Sequence, residues 1–263
     1  MRKRIRTWLA LLLLAALCLC LSGCGSFQLQ MAKTAQKMAD LHSVHVDVVS
    51  EPKMLLNVGG QDIALDTVVT GGVDVNRSPL IMRTDLTMEV LGMEIPLRFY
   101  LQRTDEGWKG IPWGMDDEVE PFFFGEATVG EVPNRMKLMA GFVKLAEYFE
   151  GPEADTVNGE DASRYEGTIP ADELNQGLEM LNLGLPTLTE DQTFVLWMNS
   201  SDMLVRMDTD LAPFAGDMLN VKVQKLLEEY GLAALNIGVD LREMQTQLVF
   251  SQFDAAPELS FPR

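Results

Sequence analysis

Three cysteines and two histidines are the side chains best suited to nucleophilic, redox or metal chemistry in this chain of 263 residues. Cys18 and Cys20 lie within an apolar run, Leu9 to Leu21, and Cys24 sits three residues beyond it. Zinc and iron–sulfur centres need several thiolates or imidazoles at close spacing, and a disulfide framework needs paired cysteines in the mature chain. Neither arrangement is present. His42 and His45 are three residues apart beside Asp40 and Asp47. On a strand, His45 and Asp47 share a face; such a pair holds a cation only weakly, and the simpler reading is polar outer-face residues. The acidic segment Asp155 to Asp161 lacks the ligand spacing of a calcium loop. No G-x-S-x-G, H-E-x-x-H, G-x-x-x-x-G-K-[ST] or G-x-G-x-x-G occurs, so the signatures of common hydrolases, zinc proteases, P-loops and dinucleotide folds are missing. No catalytic residue, metal ligand or cofactor is nominated. The chain reads as a non-enzyme, with a hydrolase built from scattered carboxylates as the weaker alternative.

Hydrophobic residues make up 47% of the chain and charged residues 23%, a balance that supports a sizeable globular core. Lys and Arg total 21 against 39 Asp and Glu, a formal charge of -18. Phosphate backbones are bound by releasing counterions to basic side chains, so nucleic acid is excluded as a partner.

One cysteine does have a context. Arg2, Lys3, Arg4 and Arg6 precede the apolar run, which is too short for a permanent membrane span and reads as a secretion signal. It ends in Leu21-Ser22-Gly23-Cys24, which resembles the bacterial lipobox, where the cysteine sulfur takes a diacylglyceryl group and the chain is cut just before it. Residues 1–23 are then signal peptide, residues 24–27 are the lipidated Cys24 with a short tether, and residues 28–263 are one domain. Cleavage removes four basic side chains and leaves 17 against 39 acids, a formal charge of -22. Acyl chains supply the membrane affinity, so the acidic body needs no basic patch. A tether of a few extended residues reaches on the order of 10 to 15 Å, which keeps the domain close to the membrane.

Several elements must surround that anchor. Met31, Ala35, Met38 and His42 recur at helical spacing, which predicts an amphipathic first helix over residues 28–41, with Lys33 and Lys37 on a solvated face. From Ser43 to Gln102 the period falls to two, with turns at Gly59-Gly60 and at Asn76 to Pro79. The clearest hairpin runs from Leu80 to Leu101 around Leu91-Gly92. Its dry face carries Leu86, Met88, Leu97 and Phe99, and its wet face carries Arg83, Asp85, Glu89 and Arg98. Residues 103–132 read as loop-rich, with Phe122-Phe123-Phe124 as core filling or as a membrane-facing or cavity-rim element. Helices are expected over residues 133–149, from Pro170, and over residues 216–230. Strands are expected at 162–169, 193–198, 203–209 and 244–253. No repeat or linker divides the chain, which makes it a single α+β domain. Sixteen methionines, many on the dry sheet face or covering helices, suit either ordinary core filling or a surface that adapts to lipid chains.

The lipobox, the first helix, the long antiparallel meander, the mid-chain helices, Val157-Asn-Gly-x-x-Ala-x-Arg-Tyr-x-Gly167 and the closing strand ending Phe250-Ser-Gln-Phe-Asp254 together resemble the LolA/LolB-like superfamily, including LppX/LprG-type lipoproteins. That resemblance implies a single curved antiparallel β-sheet, a half-barrel, with helices covering its concave face and holding acyl chains or lipid-modified partners. On the residue pattern, Leu86, Met88, Leu97 and Phe99 are expected to line the ligand cavity or its floor. Leu219, Val223, Leu226 and Tyr230 give the 216–230 helix a stripe to cover it. The expected function is a monomeric lipoprotein on the extracytoplasmic face of the bacterial cell membrane, held by its N-terminal diacylglyceryl anchor and carrying an apolar lipid or acylated ligand. The alternative is a cell-surface interaction or sensor-accessory domain with a filled core that meets an envelope protein.

Overall fold

The computed structural model describes residues 27–104, 107–114, 122–124, 144–181, 187–229 and 237–262. Helix α1 covers residues 27–40 and runs directly into the sheet. The strands are β1 (Ser43–Val58), β2 (Gln61–Arg77), β3 (Leu80–Val90), β4 (Met93–Thr104), β5 (Gly107–Pro112), β6 (Phe122–Phe124), β7 (Phe149–Val157), β8 (Glu160–Ile169), β9 (Gln192–Asn199), β10 (Leu204–Asp210) and β11 (Ile237–Ser251). Helix α2 spans Ala171–Leu181 and α3 spans Ala212–Glu229.

All pairings are antiparallel, in the order β6-β5-β4-β3-β2-β1-β11-β10-β9-β8-β7. Two meanders therefore meet at β1 and β11, where the register runs from His45 opposite Ser251 to Val58 opposite Ile237. Directly opposed residues point to the same side of a sheet, so the register assigns every strand a face. Val44 opposes Val75, which opposes Met82, which opposes Leu101. On the other side of β1, Val48 opposes Leu248, then Met207, then Leu196, then Tyr165. These residues mark one continuous apolar face.

That face is concave. Leu80 on β3 and Ile169 on β8 line one cavity, yet the two strands are six places apart in the sheet. A flat sheet would separate them by roughly 29 Å at about 4.8 Å per strand. The protein is thus α+β, a curved antiparallel half-barrel with helices on its concave side. Gly71, in mid-β2 with φ +139, helps the bend: a Cβ there would stand 2.1 Å from the carbonyl oxygen of Asp85.

Three sequence expectations need correction. Residues 107–112 and 122–124 form strands β5 and β6 inside the stretch read as loop-rich. Residues 133–143 of the expected 133–149 helix lie outside the described residues; its end is a short 3-10 turn, Ala146–Tyr148, and Phe149 already begins β7. The last strand starts at Ile237 rather than at residue 244. Its first half has no β10 neighbour, and α3 covers that edge instead. Asn220 Oδ1 accepts the Val239 N–H (3.3 Å), and the Gln224 amide donates to the Ile237 carbonyl (2.5 Å). A helix there satisfies an edge that would otherwise invite another strand.

The convex side is less wet than alternation suggested. Asp74 is 5% exposed and Ile81 2% exposed. The tail after β11 packs back on this side. Asn76, with its amide turned to satisfy both partners, donates to the Pro257 carbonyl (3.1 Å) and accepts from the Leu259 N–H (2.7 Å). Leu259 is buried, and Lys109 Nζ lies 5.0 Å from the Phe261 ring centroid.

Candidate ligand cavity

Helix α1 lies across the concave face with Met31, Thr34, Ala35, Met38 and Ala39 turned to the sheet, a spacing that keeps one stripe inward over three turns. Its start is fixed by aromatics. The Phe27 ring stacks on Tyr165 at 4.2 Å and 23°, and the Tyr165 hydroxyl donates to Gln30 Oε1 at 2.7 Å. Burial raises the Tyr165 pKa, so the phenol stays a neutral donor at ordinary pH. On the outer side, Lys37 Nζ donates to the Ser201 carbonyl (2.5 Å) and stands 3.4 Å from Asp202 Oδ2 in the β9–β10 turn. This lysine, read from sequence as part of a solvated face, pins the helix to the second meander.

Between α1 and the sheet is a cavity of about 540 Å³. Val44, Val75 and Leu80 form one wall, from the first meander. The opposite wall comes from Phe149, Ile169, Phe194, Leu196, Met198, Leu204 and Met207, with Leu174 of α2 and Leu145 at one end. Met198 is 1% exposed and Met31 6%. Thr34, deep on the helix side, donates its hydroxyl to Met198 Sδ at 3.4 Å, so a buried polar group is satisfied without polarising the cavity. Four thioethers, Met31, Met38, Met198 and Met207, give the wall deformable surface. The remaining polar wall residues, His42, Ser43 and Arg77, gather where α1 passes into β1.

The sequence-nominated cavity residues sit elsewhere on the same side of the sheet. Leu86 opposes Leu97, Met88 opposes Ile95, and Thr84 opposes Phe99, all in register with Val44 and Val75. Leu86, Met88, Leu97 and Phe99 are half-buried and lie along β3 and β4 toward the hairpin tips; none lines the cavity beneath α1. Leu219 and Val223 are half-buried on α3, which packs on the β11 edge; neither is in the cavity wall. The Leu226 side chain and Tyr230 lie outside the described residues, as does Cys24. What sequence reasoning missed was the second wall. Its signal was present in the alternation Phe194, Leu196, Met198, and in Met31, Ala35, Met38 and His42, all four of which border the cavity.

The convex side carries the other organised polar group. His45 Nδ1 is 2.6 Å from Asp74 Oδ1, its Nε2 is 3.2 Å from Asp47 Oδ1, and Arg83 Nη2 donates to Asp74 Oδ2 at 2.6 Å. Gly72 makes room for the imidazole, because a Cβ there would come within 2.7 Å of the ring. Burial pulls the His45 pKa down, and the hydrogen bonds and charges of Asp74 and Asp47 outweigh it, so the pKa is raised overall. Among the described residues no three His, Cys, Asp or Glu side chains are arranged to hold a metal. No described helix is long and apolar enough to cross a membrane.

No protein-family model and no curated protein matches the chain. Among solved structures it is similar to lipoprotein LppX of Mycobacterium tuberculosis, at 15% identity and a TM-score of 0.48, over 90% of this chain and 99% of that one. LprF from Mycobacterium bovis is similar at 14% identity and a TM-score of 0.41, over 91% and 97% of the two chains. A putative outer membrane lipoprotein-sorting protein domain from Vibrio parahaemolyticus aligns at 12% identity and a TM-score of 0.15, over 86% and 93%.

Proposed function

We propose that the protein is an extracytoplasmic lipoprotein, anchored as a monomer through a diacylglyceryl group on Cys24, that holds an apolar ligand between α1 and the concave face. Residues 1–23 act as its signal peptide, and residues 28–263 form its single domain. The role is binding rather than catalysis. The observation that carries this reading is the cavity itself: about 540 Å³ walled almost wholly by apolar side chains, within the roughly 300–1,000 Å³ range of small-ligand sites. An apolar wall of this extent suits an acyl chain rather than a polar ligand. A filled core would leave no such space, so the cavity favours a carrier over the interaction-module reading. Leu86, Met88, Leu97 and Phe99 continue the same apolar face beyond the cavity, where the end of a longer chain would lie.

Native mass spectrometry of the protein purified from its membrane tests this. A co-purifying lipid of acyl-chain mass is the expected result; a clean apo mass, unchanged after incubation with lipid vesicles, would count against it. The anchor has its own test. Cys24→Ala should accumulate as unprocessed precursor and lose fatty-acid labelling, whereas normal maturation of that variant would remove Cys24 from the account.

A further inference from the structure

We propose that the ligand is an anionic amphiphile whose headgroup is held by Arg77 at the polar end of the cavity, an inference that rests on the apolar-ligand reading above. Acids outnumber bases almost two to one in this chain, and Arg83, Arg98, Arg164, Arg206 and Arg242 each engage a carboxylate. Arg77 does not, among the described residues, and it borders the cavity beside Leu80 and Val75, with which the strand register places it on one sheet face. Arg103 is also without a carboxylate partner among the described residues, but it is not in the cavity wall.

Position reinforces charge. Arg77 is the last residue of β2, and its backbone N–H donates to the His42 carbonyl at 3.0 Å, which fixes it where α1 joins β1. At the same junction the Asp254 carboxylate accepts the N–H groups of His42 (2.5 Å) and Ser43 (3.3 Å) rather than forming an ion pair with Arg77. Guanidinium offers a planar fork of donors that matches carboxylate and phosphate oxygens alike. An acyl chain lying along the Met-rich wall would bring an acidic headgroup to this point. Because the mature body is strongly acidic, it repels anions in general, and a single local cation at the mouth can supply the discrimination.

Equilibrium binding of radiolabelled oleate, 1-oleoyl-lysophosphatidate and oleyl alcohol to the purified full chain and to Arg77→Lys and Arg77→Glu tests the proposal. Wild type should prefer at least one of the anionic ligands to the alcohol by tenfold or more. Arg77→Lys should keep part of that preference, Arg77→Glu should erase it, and alcohol binding should stay unchanged, which also reports intact folding. A stronger preference for oleate identifies a free fatty acid, and one for lysophosphatidate a phospholipid source. Equal binding of all three by wild type, or a preference that survives Arg77→Glu, overturns the headgroup assignment and leaves the apolar-ligand reading standing. No binding of any of the three overturns both.

Discussion

Leu196 and Met198, under α1, are 7% and 1% exposed; Met93 and Ile95, at the β3–β4 hairpin tip, are 58% and 37% exposed. All four belong to the same concave face and have the same apolar chemistry. What differs is cover. At one end α1 and α2 pack over the sheet around the cavity, whereas at the tips the apolar side chains stand open. Alternation along a strand decides which face is dry, but it does not say which stretch of that face meets a lid. Coverage comes from contacts between elements far apart in sequence, such as Thr34 with Met198 and Lys37 with Ser201.

The sharpest way to break this contrast is to remove matched side chains from the two ends. Met198→Ala should cost about 2–5 kcal/mol, because it deletes packing from a closed region. Met93→Ala should fall within about 0.5 kcal/mol of wild type, as at most exposed positions. Urea unfolding of both variants checks this, and equal losses would mean that the two ends are packed alike.

A smaller effect is expected from the convex side. The raised His45 pKa means that its partnership with Asp74 and Asp47 adds stability at low pH. That contribution is fully present below the unfolded-state value, about 6.5, and disappears as pH rises through the higher folded value. The melting-temperature gap between wild type and His45→Gln should therefore be widest in mildly acidic buffer and narrow toward alkaline pH. A gap that widens with pH would invert the assignment. Ligand binding should not follow this profile, since the imidazole lies on the opposite face from the cavity.

Much of this architecture was legible in the residues. Gly59-Gly60, Leu91-Gly92 and Asn158-Gly159 all turn where their chemistry places turns, and the two methionines of the α1 stripe, Met31 and Met38 on either side of Ala35, face the sheet at the spacing that revealed the helix. Strand β7 was missed because Phe149–Val157 has no apolar alternation; most of its residues are exposed at the sheet edge. The first half of β11 was missed because its edge partner is a helix, not a strand. The same limit applied to the site. Leu86 and Leu97 advertise their face through a clean hairpin, while Ile169, Leu204 and Met207 become one wall only when the second meander folds beside β1. Asp74 and Arg83 were likewise ordinary surface charges until the β2–β3 register set them opposite each other.

Filling the cavity decides whether the ligand lies beneath α1. Ala35 sits on the inward stripe of α1, where a helix accepts a larger side chain without backbone change and the added volume projects into the cavity. Ala35→Trp and Leu97→Trp should be compared with wild type by native mass spectrometry after incubation with oleate, alongside a thermal melt. Ala35→Trp is expected to melt within a few degrees of wild type and to retain no ligand, while Leu97→Trp still carries oleate. Full ligand occupancy in Ala35→Trp, or its loss in Leu97→Trp alone, would contradict the placement of the ligand beneath α1.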